Sequence, residues 1–247
     1  MKSTRYAEIV GRLAPVLSFP PEVFFEDDDA PQEVCDFFLA LAVVYTDLRD
    51  LWIHRILVLD TRPEGSPAIN SEWGEFGGIQ SREYRLTAGM LEEFLDLLRK
   101  HRKEIESPCF LKVRSRMSRE ARQHWNTLVL IAQGKKQKDS LAQSIARIRN
   151  EIGYHYLPGT LGSSYRSRFK GKSGKDGPFV SSGDNLKSTR LYFADAAVEA
   201  FLMSKTGTLG LEAANNPSVL LEPVARAIYG LVNHFIHMRS QPRVWIE

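Results

Sequence analysis

The chain has 247 residues and a formal net charge of +3, with 43% hydrophobic and 26% charged residues. That length supports a well-buried core, and the composition is that of an ordinary soluble globular protein. The mild net charge does not by itself point to nucleic acid, and the most apolar stretch, 37–45, is too short to span a bilayer, so no membrane partner is expected.

Met1-Lys2-Ser3-Thr4-Arg5-Tyr6 leads into no continuous apolar core of signal-peptide type. The two cysteines, Cys35 and Cys109, form no disulfide framework. Cys35 lies in an apolar helical run and is expected to be a buried, reduced thiol, which fits a cytoplasmic location.

Residues 1–31 are expected to form an irregular arm that ends in Glu26-Asp27-Asp28-Asp29. From Gln32 to about Leu59, Val34, Phe37, Phe38, Leu41, Val44, Leu48, Leu51 and Ile56 broadly follow helical spacing. Thr61 to Gly78 carries Pro63, Gly65, Pro67, Gly74, Gly77 and Gly78, which predicts a loop. A second helix is expected from about Ser81, through Leu86, Met90, Phe94 and Leu98, until Pro108 stops it. After a short connector, Ser118 predicts the cap of a third helix running to Gln133, and Gly134 breaks it.

Asp139 or Ser140 then caps a fourth helix. Residues 159–188 or so are rich in glycine, serine and basic side chains and predict a flexible insertion, taken as about 159–190. Between Gly162 and Arg190 lie seven basic residues against two acidic ones, a balance of +5 in one segment. Helices at about Ala194–Lys205 and Ser218–Arg239 close the chain, separated by Gly207, Gly210 and Asn215-Asn216-Pro217. With no fixed-period repeat and no βαβ alternation, the expectation is an all-α single domain over 32–247. It is a bundle of about five or six helices with a long basic loop insertion.

The fourth helix carries the most informative stretch, Arg149-Asn150-Glu151-Ile152-Gly153-Tyr154-His155. Leu141, Ile145, Ile148, Ile152 and Tyr156 form one apolar stripe. Arg149 and His155 flank it, each about 60° from Ile152 at about 100° per residue. A single ideal helix therefore does not bring the two together. Two copies meeting along the stripe would set one copy's arginine toward the other's histidine, so a symmetric homodimer is expected, its axis near Ile152 and Gly153. Arginine is a permanent cation whose planar fork suits phosphate, and histidine exchanges a proton near neutral pH. Glu151, four residues before His155, is placed to pair with it.

The segment Ile148-Arg149-Asn150-Glu151-Ile152-Gly153-Tyr154-His155-Tyr156 resembles the R-x(4–6)-H signature of the HEPN superfamily, in the form where asparagine follows the arginine. The resemblance implies a compact α-helical bundle, usually dimeric, and a metal-independent endoribonuclease of the toxin–antitoxin, phage-defence or RNA-processing kind. It gives catalytic roles to Arg149, Asn150 and His155, supporting roles to Glu151, Tyr154 and Tyr156, and no cofactor or metal. RNA is the expected substrate, with an antitoxin or defence-system protein as a further partner. The chain departs from the subgroup that carries tyrosine two residues after the histidine, because Leu157 stands there. The alternative implied by the same fold is a non-catalytic helical module that binds a protein or a nucleotide.

Arg166, Arg168, Lys170, Lys172 and Lys175, interleaved with Tyr165 and Phe169, are the expected RNA-binding set. Arg49-Asp50-Leu51-Trp52-Ile53-His54 also satisfies R-x4-H but lacks the asparagine, and is read as a structural decoy. His234 and His237 are three apart, but no third ligand follows at zinc-finger spacing. Gly171-Lys172-Ser173-Gly174-Lys175 lacks the glycine and the hydroxyl residue that a phosphate loop needs.

Overall fold

The computed structural model describes residues 17–65, 70–135, 157–172, 177–180, 189–215, 218–240 and 243–244. These are all-α apart from a minimal antiparallel pairing of β1 (Leu17–Ser18) with β2 (Arg243–Val244), in which Leu17 faces Val244 and Ser18 faces Arg243. The helices are α1 (Gln32–Leu59), α2 (Ser71–Lys100), α3 (Arg102–Ile105), α4 (Pro108–Ser115), α5 (Arg119–Ala132), α6 (Pro158–Phe169), α7 (Tyr192–Asn215) and α8 (Ser218–Arg239). The expected all-α class is therefore met. The segment expected to be the fourth helix, from about 139 to 156, lies outside the described residues.

The described residues divide into two compact units. One takes those within 1–53, 94–136 and 220–247, and the other those within 54–93 and 137–219. The core of the first unit is aromatic. Phe38 stacks on Phe235 with ring centroids 4.0 Å apart and on Phe110 at 5.3 Å, and Phe110 meets Trp125 at 5.4 Å. Phe94 closes on Trp125 from the other side at 6.5 Å. These rings, with Leu41, Leu48 and Ile228, are under 2% exposed.

Local chemistry explains several boundaries. The Ser118 hydroxyl accepts the Ala121 amide at the start of α5, as its sequence predicts, and Gly134 at φ +69° lets the chain leave that helix. The second long helix, α2, ends at Lys100, ahead of Pro108, which opens α4 instead of stopping α2. Proline at the first helical position loses no hydrogen bond, and the Ser107 hydroxyl caps the turn by accepting the Phe110 amide. The expected connector is thus largely helical. Cys35 and Cys109 are both buried free thiols, and burial pushes both upward in pKa.

Three stretches depart from expectation. Helix α2 starts at Ser71, about ten residues early, capped by the Asn70 side chain accepting the Trp73 amide at 2.9 Å. Its glycines fill a packing need described below. A helix, α6, occupies Pro158–Phe169 within the expected flexible insertion. Pro158 sits at its first turn, and its Tyr165 packs edge-on against Phe193 of α7 at 6.1 Å. Burial on a neighbour decides that helix more than its own propensity. Helix α7 runs through Gly207 and Gly210 to Asn215; each glycine costs about 1 kcal/mol without breaking a long helix.

The acidic run at the end of the expected arm is tied into the first unit. The Asp27 carboxylate accepts the amides of Asp29 and Ala30, and Arg239 of α8 donates to it at 3.0 Å and to the Phe25 carbonyl at 2.6 Å. Partial burial works to raise the Asp27 pKa. The Ala30 amide, the Arg239 guanidinium and the Asp29 amide outweigh it and hold the carboxyl below its usual 3.8. A depressed carboxyl adds stability that is complete above the unfolded-state value and is lost as pH falls through the folded-state one. Urea unfolding at a series of pH values from neutral to below 3.8 should therefore show a shallower acid loss for Asp27→Asn than for the unaltered protein.

Candidate functional site

Arg149, Asn150, Glu151, Tyr154, His155, Tyr156 and Lys175 lie outside the described residues. The other expected RNA contacts can be placed. Arg166 and Arg168 occupy the last turn of α6, and Lys170 and Lys172 follow it around Gly171, whose φ is +76°. All four are exposed. They do not form one flat stripe, because Arg166 and Arg168 are two residues apart and point to different sides of the helix. Tyr165 and Phe169, with centroids 5.0 Å apart, are half-buried, and Tyr165 is engaged with Phe193. Part of the aromatic surface expected to stack on bases is thus holding α6 in place.

Arg168 also lines a cleft of the second unit, a space of about 570 Å³. The α1 end and the turn after it supply Leu59 and Arg62, and α2 supplies Trp73, Phe76, Gln80, Ser81 and its glycines. Phe179, Tyr192, Asp195 and Glu199 complete the wall. The Arg62 guanidinium lies 5.7 Å from the Trp73 ring centroid, and Phe179 stacks on Tyr192 at 4.8 Å. Neither Arg62 nor Arg168 is held in an ion pair among the described residues.

One wall of this cleft exists because of two glycines. Gly74 and Gly78 are four apart on α2 and so share a face. A methyl at Gly74 would run into the Tyr192 ring, and one at Gly78 into the Arg190 guanidinium and the Asp195 carboxylate. That close approach lets Arg190 donate to Glu75 at 2.8 Å and to Asp195 at 2.9 Å, while the Tyr192 hydroxyl donates to Glu75 at 3.2 Å. Burial works against the Arg190 charge, but its bond to Asp195 and the two nearby carboxylates prevail and raise its pKa. Gly77, between them, meets nothing within 4 Å. Sequence reasoning missed Arg62, Trp73, Arg190 and Tyr192. The signal that was present is the glycine pair at helical spacing behind an asparagine cap.

The second R-x4-H stretch resolves into two separate roles. Arg49 donates to its neighbour Asp50 at 2.8 Å and lines a smaller hollow of about 390 Å³ with Tyr45, Trp52, Arg226 and Tyr229. His54 presents Nδ1 to the buried Glu83 at 3.0 Å, and the buried Arg55 follows it in the chain. Burial lowers the Arg55 pKa, and the Glu83 charge works against that. His237 faces its own helix, with Nδ1 2.8 Å from the Asn233 carbonyl oxygen. Burial, then the charges of His237 and Arg116, hold His234 below the usual histidine value. Among the described residues no group of three potential metal-ligating side chains is found.

Comparison of the chain with protein-family models, with curated proteins and with solved structures finds no match. No helix among the described residues is long and apolar enough to cross a membrane.

Proposed function

We propose that the chain is a metal-independent endoribonuclease of HEPN type, with Arg149, Asn150 and His155 as its catalytic set. His155 moves the proton as the 2′-hydroxyl attacks the adjacent phosphorus, and Arg149 stabilises charge developing on the phosphoryl oxygens. Asn150 orients the substrate or the arginine. The observation that carries this reading is the sequence motif itself, an arginine followed by asparagine, with that arginine and a histidine at spacings that flank one apolar stripe. The all-helical architecture and the exposed basic residues that follow the motif in the chain support it. In this reading two copies pair about Ile152 and Gly153, cleavage leaves a 2′,3′-cyclic phosphate and a free 5′-hydroxyl, and the setting is a toxin or phage-defence system with its own partner protein.

The test is incubation with total RNA, tRNA and single-stranded RNA in EDTA. Cleavage should fall by about 10²–10⁴-fold in His155→Ala, and Arg149→Ala should fall with it. Equal residual cleavage in all three proteins removes the assignment. Neutralising Arg166, Arg168, Lys170 and Lys172 together should weaken RNA binding and flatten its salt dependence, by about 0.7 in log–log slope for each single-strand phosphate no longer neutralised. Turnover at saturating RNA should change much less. Unchanged affinity and slope would mean that these residues are only a solvated face.

A second reading, a non-catalytic helical module that binds a protein or a nucleotide, is favoured by the cleft of the second unit. It predicts a protein with no nuclease activity whose His155→Ala variant keeps the original melting temperature.

A further inference from the structure

We propose that the cleft bounded by Arg62, Trp73, Arg168 and Tyr192 binds a nucleoside monophosphate unit. The inference concerns binding alone and does not require cleavage by Arg149 and His155.

Size is the first argument. A space of about 570 Å³ falls in the ordinary range for small-molecule sites. The walls then narrow the chemistry. Trp73 and the stacked Phe179–Tyr192 pair are flat apolar surfaces suited to a base, which every aromatic face can accept. Arg62 and Arg168 reach the cleft from elements far apart in the chain, and neither is held in an ion pair among the described residues. Their planar forks match phosphate oxygens. The first turns of α2, whose amides carry the positive end of the helix dipole, lie on the same wall through Trp73 and Gly74.

Charge sets how many phosphates fit. Arg190 is shared between Asp195 and Glu75, so the charges lining the cleft are Arg62 and Arg168 against Asp195 and Glu199. Two guanidinium groups in so balanced a lining suit one phosphate and are too few for a triphosphate. Glu199, Gln80 and Ser81 supply acceptors and donors for ribose hydroxyls and base edges. Gly77 leaves its part of the wall open, since among the described residues nothing from outside its own helix turn lies within 4 Å of where its side chain would begin.

Calorimetric titration of the full chain with AMP, ATP, ribose 5-phosphate and a short oligoribonucleotide tests this. AMP should bind, ATP should bind no tighter, and ribose 5-phosphate should bind at least about tenfold more weakly for want of the stacked base. Trp73→Ala and the double variant Arg62→Ala/Arg168→Ala should each weaken AMP by about tenfold or more. Gly77→Leu leaves the existing packing intact and places a strong helix former on the helix, so it should block AMP without lowering the melting temperature. If the oligoribonucleotide binds at least tenfold tighter than AMP and Gly77→Leu blocks both, the occupant is one nucleotide of a strand. If AMP is the tighter ligand, it is a free mononucleotide. Absence of AMP binding at millimolar concentration overturns the proposal, as does unchanged affinity in a folded Gly77→Leu protein. Loss of cleavage in Arg149→Ala and His155→Ala with AMP binding intact would leave this site standing, and AMP binding with no cleavage in any protein would remove only the nuclease reading.

Discussion

Trp125→Ala should lower the unfolding free energy by about 3–5 kcal/mol, whereas Trp125→Phe should cost less than about 1.5 kcal/mol. The residue is fully buried between Phe94 and Phe110. Truncation removes a large apolar surface and opens a cavity that rings locked against Phe38 and Phe235 cannot collapse to fill. Phenylalanine restores most of the packing. It also deletes a buried indole N–H that has no hydrogen-bond partner among the described residues, which offsets part of the missing volume. Urea titrations that gave the two variants equal midpoints would show that this ring does not pack as described.

Three alanine substitutions within five residues of α2 should differ in sign. At Gly77 the new methyl meets nothing, so the ordinary helix preference of alanine over glycine should raise stability by about 0.5–1 kcal/mol. At Gly74 and Gly78 the same methyl enters the Tyr192 ring or the Arg190–Asp195 ion pair. Overpacking of this kind costs about 1–3 kcal/mol and outweighs the propensity gain. Thermal melts in which all three variants shift in the same direction would refute the close approach of α2 to Tyr192 and Arg190.

That contrast also shows where the sequence was legible. The limits of α8, Ser218–Arg239, and the start of α5 at Ser118 were readable, because Asn-Asn-Pro and a capping serine are signals contained in a few adjacent residues. The start of α2 was not. Gly74 and Gly78 look like loop glycines until Tyr192 and Arg190 are seen to occupy the space that they leave, and Arg190 is 115 residues away from its partner Glu75. Likewise α6 has little amphipathic signal of its own and depends on packing against α7 through Tyr165 and Phe193. The R-x5-H motif stands out in the sequence, and its residues lie outside the described ones. The cleft was invisible because no two of Arg62, Trp73, Arg168 and Tyr192 share a local pattern.

The tie between Asp27 and Arg239 spans 212 positions, and Phe38 finds its closest ring in Phe235. For a ribosome working from the N-terminus at about 5–20 residues per second, roughly 10–40 s separate the synthesis of those two phenylalanines. Throughout that interval Phe38 has no α8 to cover it. The closest aromatic stack of the first unit is therefore a long-range contact that waits for α8. Until α8 is made, the face of Phe38 that Phe235 covers is open to chaperones, and a chain stopped before α8 lacks one wall of its aromatic core.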